Sequence, residues 1–110
     1  MLINECKLST LEQFSPIQAV FQDVACGEGF KSYMLNMLPG QETPVRHHKD
    51  RSVMLIPKRG QATLFTEDES EIVIQEGSIY TDHRGRTFGL RNTGKEPFQI
   101  LVIQIALSGD

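Results

Sequence analysis

The chain has 110 residues, of which 39% are hydrophobic and 23% charged, with a formal net charge of −3. That size and apolar content suit one domain over residues 1–110 with one packed core, and they exclude global disorder. The mild negative charge argues against a general nucleic-acid binder, and no apolar stretch approaches the ~20 residues that span a bilayer, so neither nucleic acid nor a membrane is expected as a partner.

The first ten residues, MLINECKLST, lack the basic start and apolar run of a signal peptide. Cys6 and Cys26 are too few and too far apart for a zinc knuckle or a CxxC redox motif, so a cytoplasmic protein with reduced thiols is expected. Residues 1–16 read as a structural arm. Ser9-Thr10-Leu11-Glu12 opens a short helix with Ser9 as its cap and Pro16 as its stop, or else the arm is irregular and packs on a sheet edge. Residues 17–24 alternate as a strand. Cys26 reads as a small, partly buried side chain beside the Gly27-Glu28-Gly29 turn, and residues 30–38 return as a second strand. Tyr33, Leu35 and Met37 share one face of it, and Ser32, Met34, Asn36 and Leu38 the other. Apolar residues stand on both faces, which predicts cover on both, the second from another subunit.

After the Pro39-Gly40 turn the chain is polar to Ser52. A short buried strand follows at 53–56, then a turn at 57–60 and a strand at 61–66. The acidic tip 67–71 leads into 72–74, Gly77 turns the chain into 78–81, and 82–86 is a polar loop around Gly85. A strand at 87–91, a turn at 92–95 and the long apolar run 98–107 close the chain. About nine short strands with turns every ~8–12 residues predict an all-β sandwich or barrel.

Two glycine-spaced patterns stand out. The first is Gly40, five residues, Arg46, one residue, His48, four residues, Val53, six residues, Gly60. The second is Gly77, five residues, His83, one residue, Gly85, two residues, Phe88, three residues, Asn92. With the run Asn92-Thr93-Gly94-Lys95-Glu96-Pro97, and over roughly residues 30–105, they resemble the cupin superfamily, in the form of a small single-domain RmlC-like barrel with degenerate metal-binding motifs. The resemblance implies an all-β double-stranded β-helix, a jelly-roll barrel with its core at about 17–107, and often a homodimer.

A typical cupin holds a divalent metal with three histidines and a glutamate. Carried over by position, Arg46, Val53 and Phe88 replace three of those ligands and only His48 remains. One imidazole does not hold such a metal, so no metal or other cofactor is expected. The alternative is a rewired site of His47, His48 and His83, which needs a bulge to turn both neighbouring histidines inward. Eight of the eleven basic residues lie between Arg46 and Arg91, whereas five acidic ones cluster at 67–76. In the cupin arrangement Arg46 and His48 point inward and His83, Arg84 and Arg86 approach from the opposing loop, with Tyr33 nearby. Phe88 and Val53 fill the interior. An inward Arg46 needs Glu42, Asp50, Asp82 or a bound anion as its partner.

The first functional reading is a binder of a small anionic molecule in the barrel. The second is an enzyme. It is either a metal-independent isomerase or epimerase with His48 as general base, Asp50 or Asp82 orienting it and Arg46 stabilising an oxyanion, or a metal-dependent oxygenase built on His47, His48 and His83. The third is a dimeric scaffold. The sequence leaves open whether the chain is an enzyme.

Overall fold

The structure, a computed structural model, describes residues 3–47, 50–83 and 87–106, with the backbone alone at His47. Nine strands form among the described residues: β1 (Val20–Gly27), β2 (Phe30–Met37), β3 (Arg46–His47), β4 (Arg51–Arg59), β5 (Gln61–Thr66), β6 (Glu71–Gln75), β7 (Tyr80–Asp82), β8 (Thr87–Arg91) and β9 (Phe98–Ala106). They pair antiparallel into a five-stranded sheet, β1-β2-β9-β4-β7, and a four-stranded sheet, β3-β8-β5-β6. This is the expected all-β double-stranded β-helix. Alternate side chains turn into the space between the sheets. Leu35, Met37, Val53, Leu55, Phe98, Ile100 and Val102 come from one sheet and Ala62, Ile74, Phe88 and Leu90 from the other, in one contiguous core.

Three of the four spacing glycines are described, and all three take a positive φ: 87° at Gly40, 79° at Gly60 and 94° at Gly77. At Gly60 a Cβ would also stand 2.6 Å from the Pro97 carbonyl oxygen, so only hydrogen fits there. Asn92, 1% exposed, ties two turns together. Its amide donates to the carbonyls of Met37 and Glu96, both at 2.9 Å, and its side-chain oxygen accepts from the Gly94 N–H at 3.0 Å.

Several local expectations are corrected. The first strand starts at Val20 rather than residue 17, because the chain at 16–18 bends. β4 runs from Arg51 to Arg59 instead of covering only 53–56: it pairs on both edges, with β9 and β7, and passes Pro57 at a register shift. The arm carries a 3-10 turn, Leu8–Leu11, whose N-cap is Lys7 and not Ser9; the Thr10 hydroxyl closes it on the Lys7 carbonyl at 2.6 Å. Cys26 is exposed rather than partly buried, as is Cys6.

On the two-faced strand β2, part of the second cover comes from the chain itself. Tyr33, Leu35 and Met37 do face the core, but the far end of the other face is covered by the chain's own arm. Asn36 is fully buried there, and its amide donates to the carbonyls of Leu11 at 2.8 Å and Gln13 at 2.9 Å and to Gln22 Oε1 at 3.0 Å. Gln99 on β9 reaches the same Leu11 carbonyl at 3.1 Å. Leu11 itself is 4% exposed. Beyond the arm, the strand register aligns Met54, Ile56, Leu101, Ile103, Ile105 and Phe30 on the outer face, where Phe30 and Ile105 are exposed.

Replacing Asn36 by alanine strips the donors from buried carbonyls and should lower the unfolding free energy by about 2 kcal/mol in urea titrations. Asn36→Asp should cost more, since a carboxylate would face two carbonyl oxygens. Wild-type stability in both variants would show that the arm is not held this way.

Candidate functional site

Arg46 stands on the two-residue strand β3 directly opposite Phe88 on β8. It shares the inward face with Phe88, but its side chain is exposed at the mouth rather than buried, so it does not need the counter-charge that a buried arginine would. The guanidinium instead lies 5.5 Å from the centre of the Phe21 ring, and that ring packs at 5.5 Å, tilted by 57°, against Tyr33. A cation over an aromatic face is attracted by the ring's quadrupole, so Phe21 holds Arg46 without neutralising it. Of the three expected counter-charges, Glu42 pairs with Arg91 at 3.3 Å, and Arg91 in turn lies 4.9 Å from the Phe65 ring centre.

Below Arg46 is a narrow crevice of about 30 Å³. Phe21, Tyr33, Pro44, Arg46 and Phe88 are among its walls. The Tyr33 hydroxyl accepts from Gln104 Nε2 at 3.4 Å, and Gln104 Oε1 accepts from Arg51 at 3.0 Å. That leaves the phenolic proton to point elsewhere. Burial pushes the Tyr33 hydroxyl above its ordinary value, against smaller opposing pulls from the Gln104 hydrogen bond and the Arg46 charge.

A second and much larger cavity, about 500 Å³, opens between β4–β5 and β6–β8. Its apolar side is Leu55, Leu64, Ile72, Ile79, Tyr80 and Phe88; its polar side is Thr66, Thr81, Asp82 and His83. His83 is exposed, with Nε2 3.5 Å from the Thr81 hydroxyl. Arg46 and His83, expected to converge on one ligand, therefore belong to different spaces. Phe88 and Leu55 are 7% and 3% exposed and line both, so they form the wall between them. His48, Arg84 and Arg86 lie outside the described residues, as does the His47 side chain, so the rewired three-histidine arrangement lies outside them too. Sequence reasoning missed Phe21 and Gln104. The alternation of β1 signals an aromatic at 21, whereas no sequence pattern announces the Gln104–Tyr33 contact.

The donor set does not fit a cupin-type metal. A guanidinium, an isopropyl group 1% exposed at Val53 and a phenyl ring at Phe88 offer no lone pair. Among the described residues no three His, Cys, Asp or Glu side chains group as metal ligands. No helix among them is long and apolar enough to cross a membrane.

The raised Tyr33 value has a definite sign. The neutral phenol is favoured in the native state, so its contribution to stability is complete below the ordinary value of about 10 and is lost as pH climbs through the higher folded value. The chain has two tyrosines, so tyrosinate absorbance resolves them. Tyr33→Phe should delete a step lying above about 10. Native-state ionisation of Tyr33 at or below that value would contradict the burial described.

By comparison with known proteins, the description mannose-6-phosphate isomerase C-terminal matches residues 7–108. No curated protein matches the sequence. Among solved structures, the chain is similar to the TT1209 protein of Thermus thermophilus, with TM-score 0.83 and 20% identity over 96% of this chain and 100% of the other. It is also similar to a conserved double-stranded β-helix protein of Klebsiella pneumoniae, with TM-score 0.85 and 18% identity over 93% and 84%. An RmlC-like cupin of Desulfovibrio desulfuricans gives TM-score 0.82 and 19% identity over 94% and 96%. Identities this low speak for the fold alone. The family match, which spans nearly the whole chain, says more: this two-sheet barrel belongs to the mannose-6-phosphate isomerase C-terminal family, on the cupin fold.

Proposed function

We propose that the chain binds a small organic anion at the mouth of the barrel, without a metal of the cupin type. One observation carries the reading: Arg46 and Tyr33 face the same crevice, near enough for the guanidinium to bear on the ionisation of the phenol. Arg46 supplies a permanent charge and a fork of N–H donors, and Tyr33 supplies a hydroxyl proton. The crevice, about 30 Å³, has roughly the volume that one water occupies in the liquid, so it takes one oxygen of a carboxylate or phosphate while the rest of the ligand stays outside. His48 is two residues from Arg46 in sequence and completes the proposed donor set.

The family's description makes a phosphorylated sugar the first compound to try. Melting temperature should rise with mannose 6-phosphate, inorganic phosphate or acetate and stay level with chloride at the same ionic strength. Arg46→Met should weaken the anion about ten- to hundredfold, as expected for loss of a charged hydrogen-bond donor. No response to any anion, or an Arg46→Met variant that binds as well as wild type, would end this reading. The same samples test an isomerase: turnover of mannose 6-phosphate that disappears in His48→Ala would replace simple binding with catalysis.

We also propose that a second copy of the chain covers the outer face of the five-stranded sheet. The stripe of Met54, Ile56, Leu101, Ile103 and Ile105 is apolar and uncharged, so two copies meet on it without like-charge repulsion. Sedimentation should report twice 12.4 kDa for the wild type and the single mass for Ile105→Glu. A wild-type monomer would rule the proposal out.

A further inference from the structure

We propose that the larger cavity is a separate binding site, one that takes an uncharged, ring-containing molecule carrying a hydroxyl or amino group. It does not depend on the anion reading above. Size comes first: about 500 Å³ falls within the range of roughly 300–1,000 Å³ in which proteins hold small organic molecules. Surface chemistry comes second. Ile72 and Ile79 stand at the lip 52% and 62% exposed, so a molecule seated in the cavity would take their apolar surface out of water along with that of Leu64 and Phe88. Composition comes third. Six of the ten described lining residues are Leu, Ile, Tyr or Phe, which favours an uncharged ring. The His83 imidazole and the Thr81 hydroxyl, 3.5 Å apart at the same rim, can donate to or accept from a ligand hydroxyl or amine.

Separation from the Arg46 crevice follows from the wall. Phe88 and Leu55 are almost fully buried and border both spaces, so a molecule filling the cavity meets the phenyl ring and not the guanidinium. The chain therefore offers two sites of opposite preference on the two sides of one side chain.

The test uses the full chain and the neutral two-ring dye N-phenyl-1-naphthylamine, whose emission rises on leaving water. Titration should saturate with a single class of sites. Ile79→Asp, at an exposed position that folding tolerates, should weaken the dye roughly tenfold by removing an apolar contact and adding a charge at the lip. Arg46→Met should change dye affinity by less than about twofold. Non-saturating fluorescence, or an Ile79→Asp variant with wild-type affinity, would refute a site in this cavity. Equal weakening by Arg46→Met and Ile79→Asp would refute two separate sites. A wild type that binds no anion but still binds the dye would overturn the proposed function and leave this site standing.

Discussion

The position of Arg46 depends on how residues 40–47 are laid along strand β8. The ladder begins at Asn92, whose carbonyl accepts from the Gly40 N–H at 2.9 Å and whose N–H donates to the Gln41 carbonyl at 2.8 Å. Glu42 bridges Arg91, and Thr43 grips Leu90 twice: its N–H reaches the Leu90 carbonyl at 2.8 Å and its hydroxyl accepts the Leu90 N–H at 3.0 Å. By the time the chain reaches Arg46 it has no freedom of register left and stands opposite Phe88. The polar run that looks irregular in sequence is thus an extended segment whose backbone groups are spent on β8. Thr43, buried, is the side chain that holds it there, while buried Asn92 contributes through its backbone.

That registration gives Phe88 its effect. In the cupin pattern an imidazole at this position points to the barrel centre and helps hold a metal. A phenyl ring on the same backbone points the same way, fills the centre and divides the interior in two. The division explains why the site does not follow a simple substitution of anion for metal. The basic side chain sits on one side of the ring, above a crevice too small for a whole molecule, and the usable volume lies on the other. Val53, likewise inward and 1% exposed, closes the remaining space from β4. What distinguishes this chain is therefore less the loss of metal ligands than the bulk of what replaced them.

The fold was legible because its signals are local. Glycines at 40, 60 and 77 mark backbone positions with positive φ, and the period-two alternation of Tyr33, Leu35 and Met37 marks a core face whatever the partner strand is. The cover on the back of β2 was not legible. Apolar content on both faces says that something lies there, but the side chains that seat the arm are Asn36 and Gln99, polar residues whose partners are carbonyls 25 and 88 positions away. The site was legible in part for the same reason. Arg46 and Phe88 are fixed by motif spacing. Their surroundings are not, because the contacts of Arg46 with Phe21 and of Tyr33 with Gln104 join strands distant in sequence. His83 and Arg46, joined by the loop reading, line different spaces, with the Phe88 ring bordering both.

A guanidinium on an aromatic ring differs from a metal in ways that bear on the chemistry this barrel can do. A metal accepts lone pairs, exchanges its ligands and acidifies bound water. A guanidinium does none of these; it stays charged at every physiological pH and offers hydrogen bonds only in its own plane. Phe21 lies beside the exposed Arg46 side chain, whose N–H groups can meet an acceptor in water. The side chain is exposed, so its charge is screened and carries little desolvation cost, and selectivity has to come from geometry rather than field strength. Geometry is what the crevice supplies: a second donor at Tyr33, whose oxygen accepts from Gln104 and whose ionisation burial pushes higher still. On the proposed reading, two donors in fixed positions would recognise the shape of an oxyanion, a form of selectivity that needs no metal.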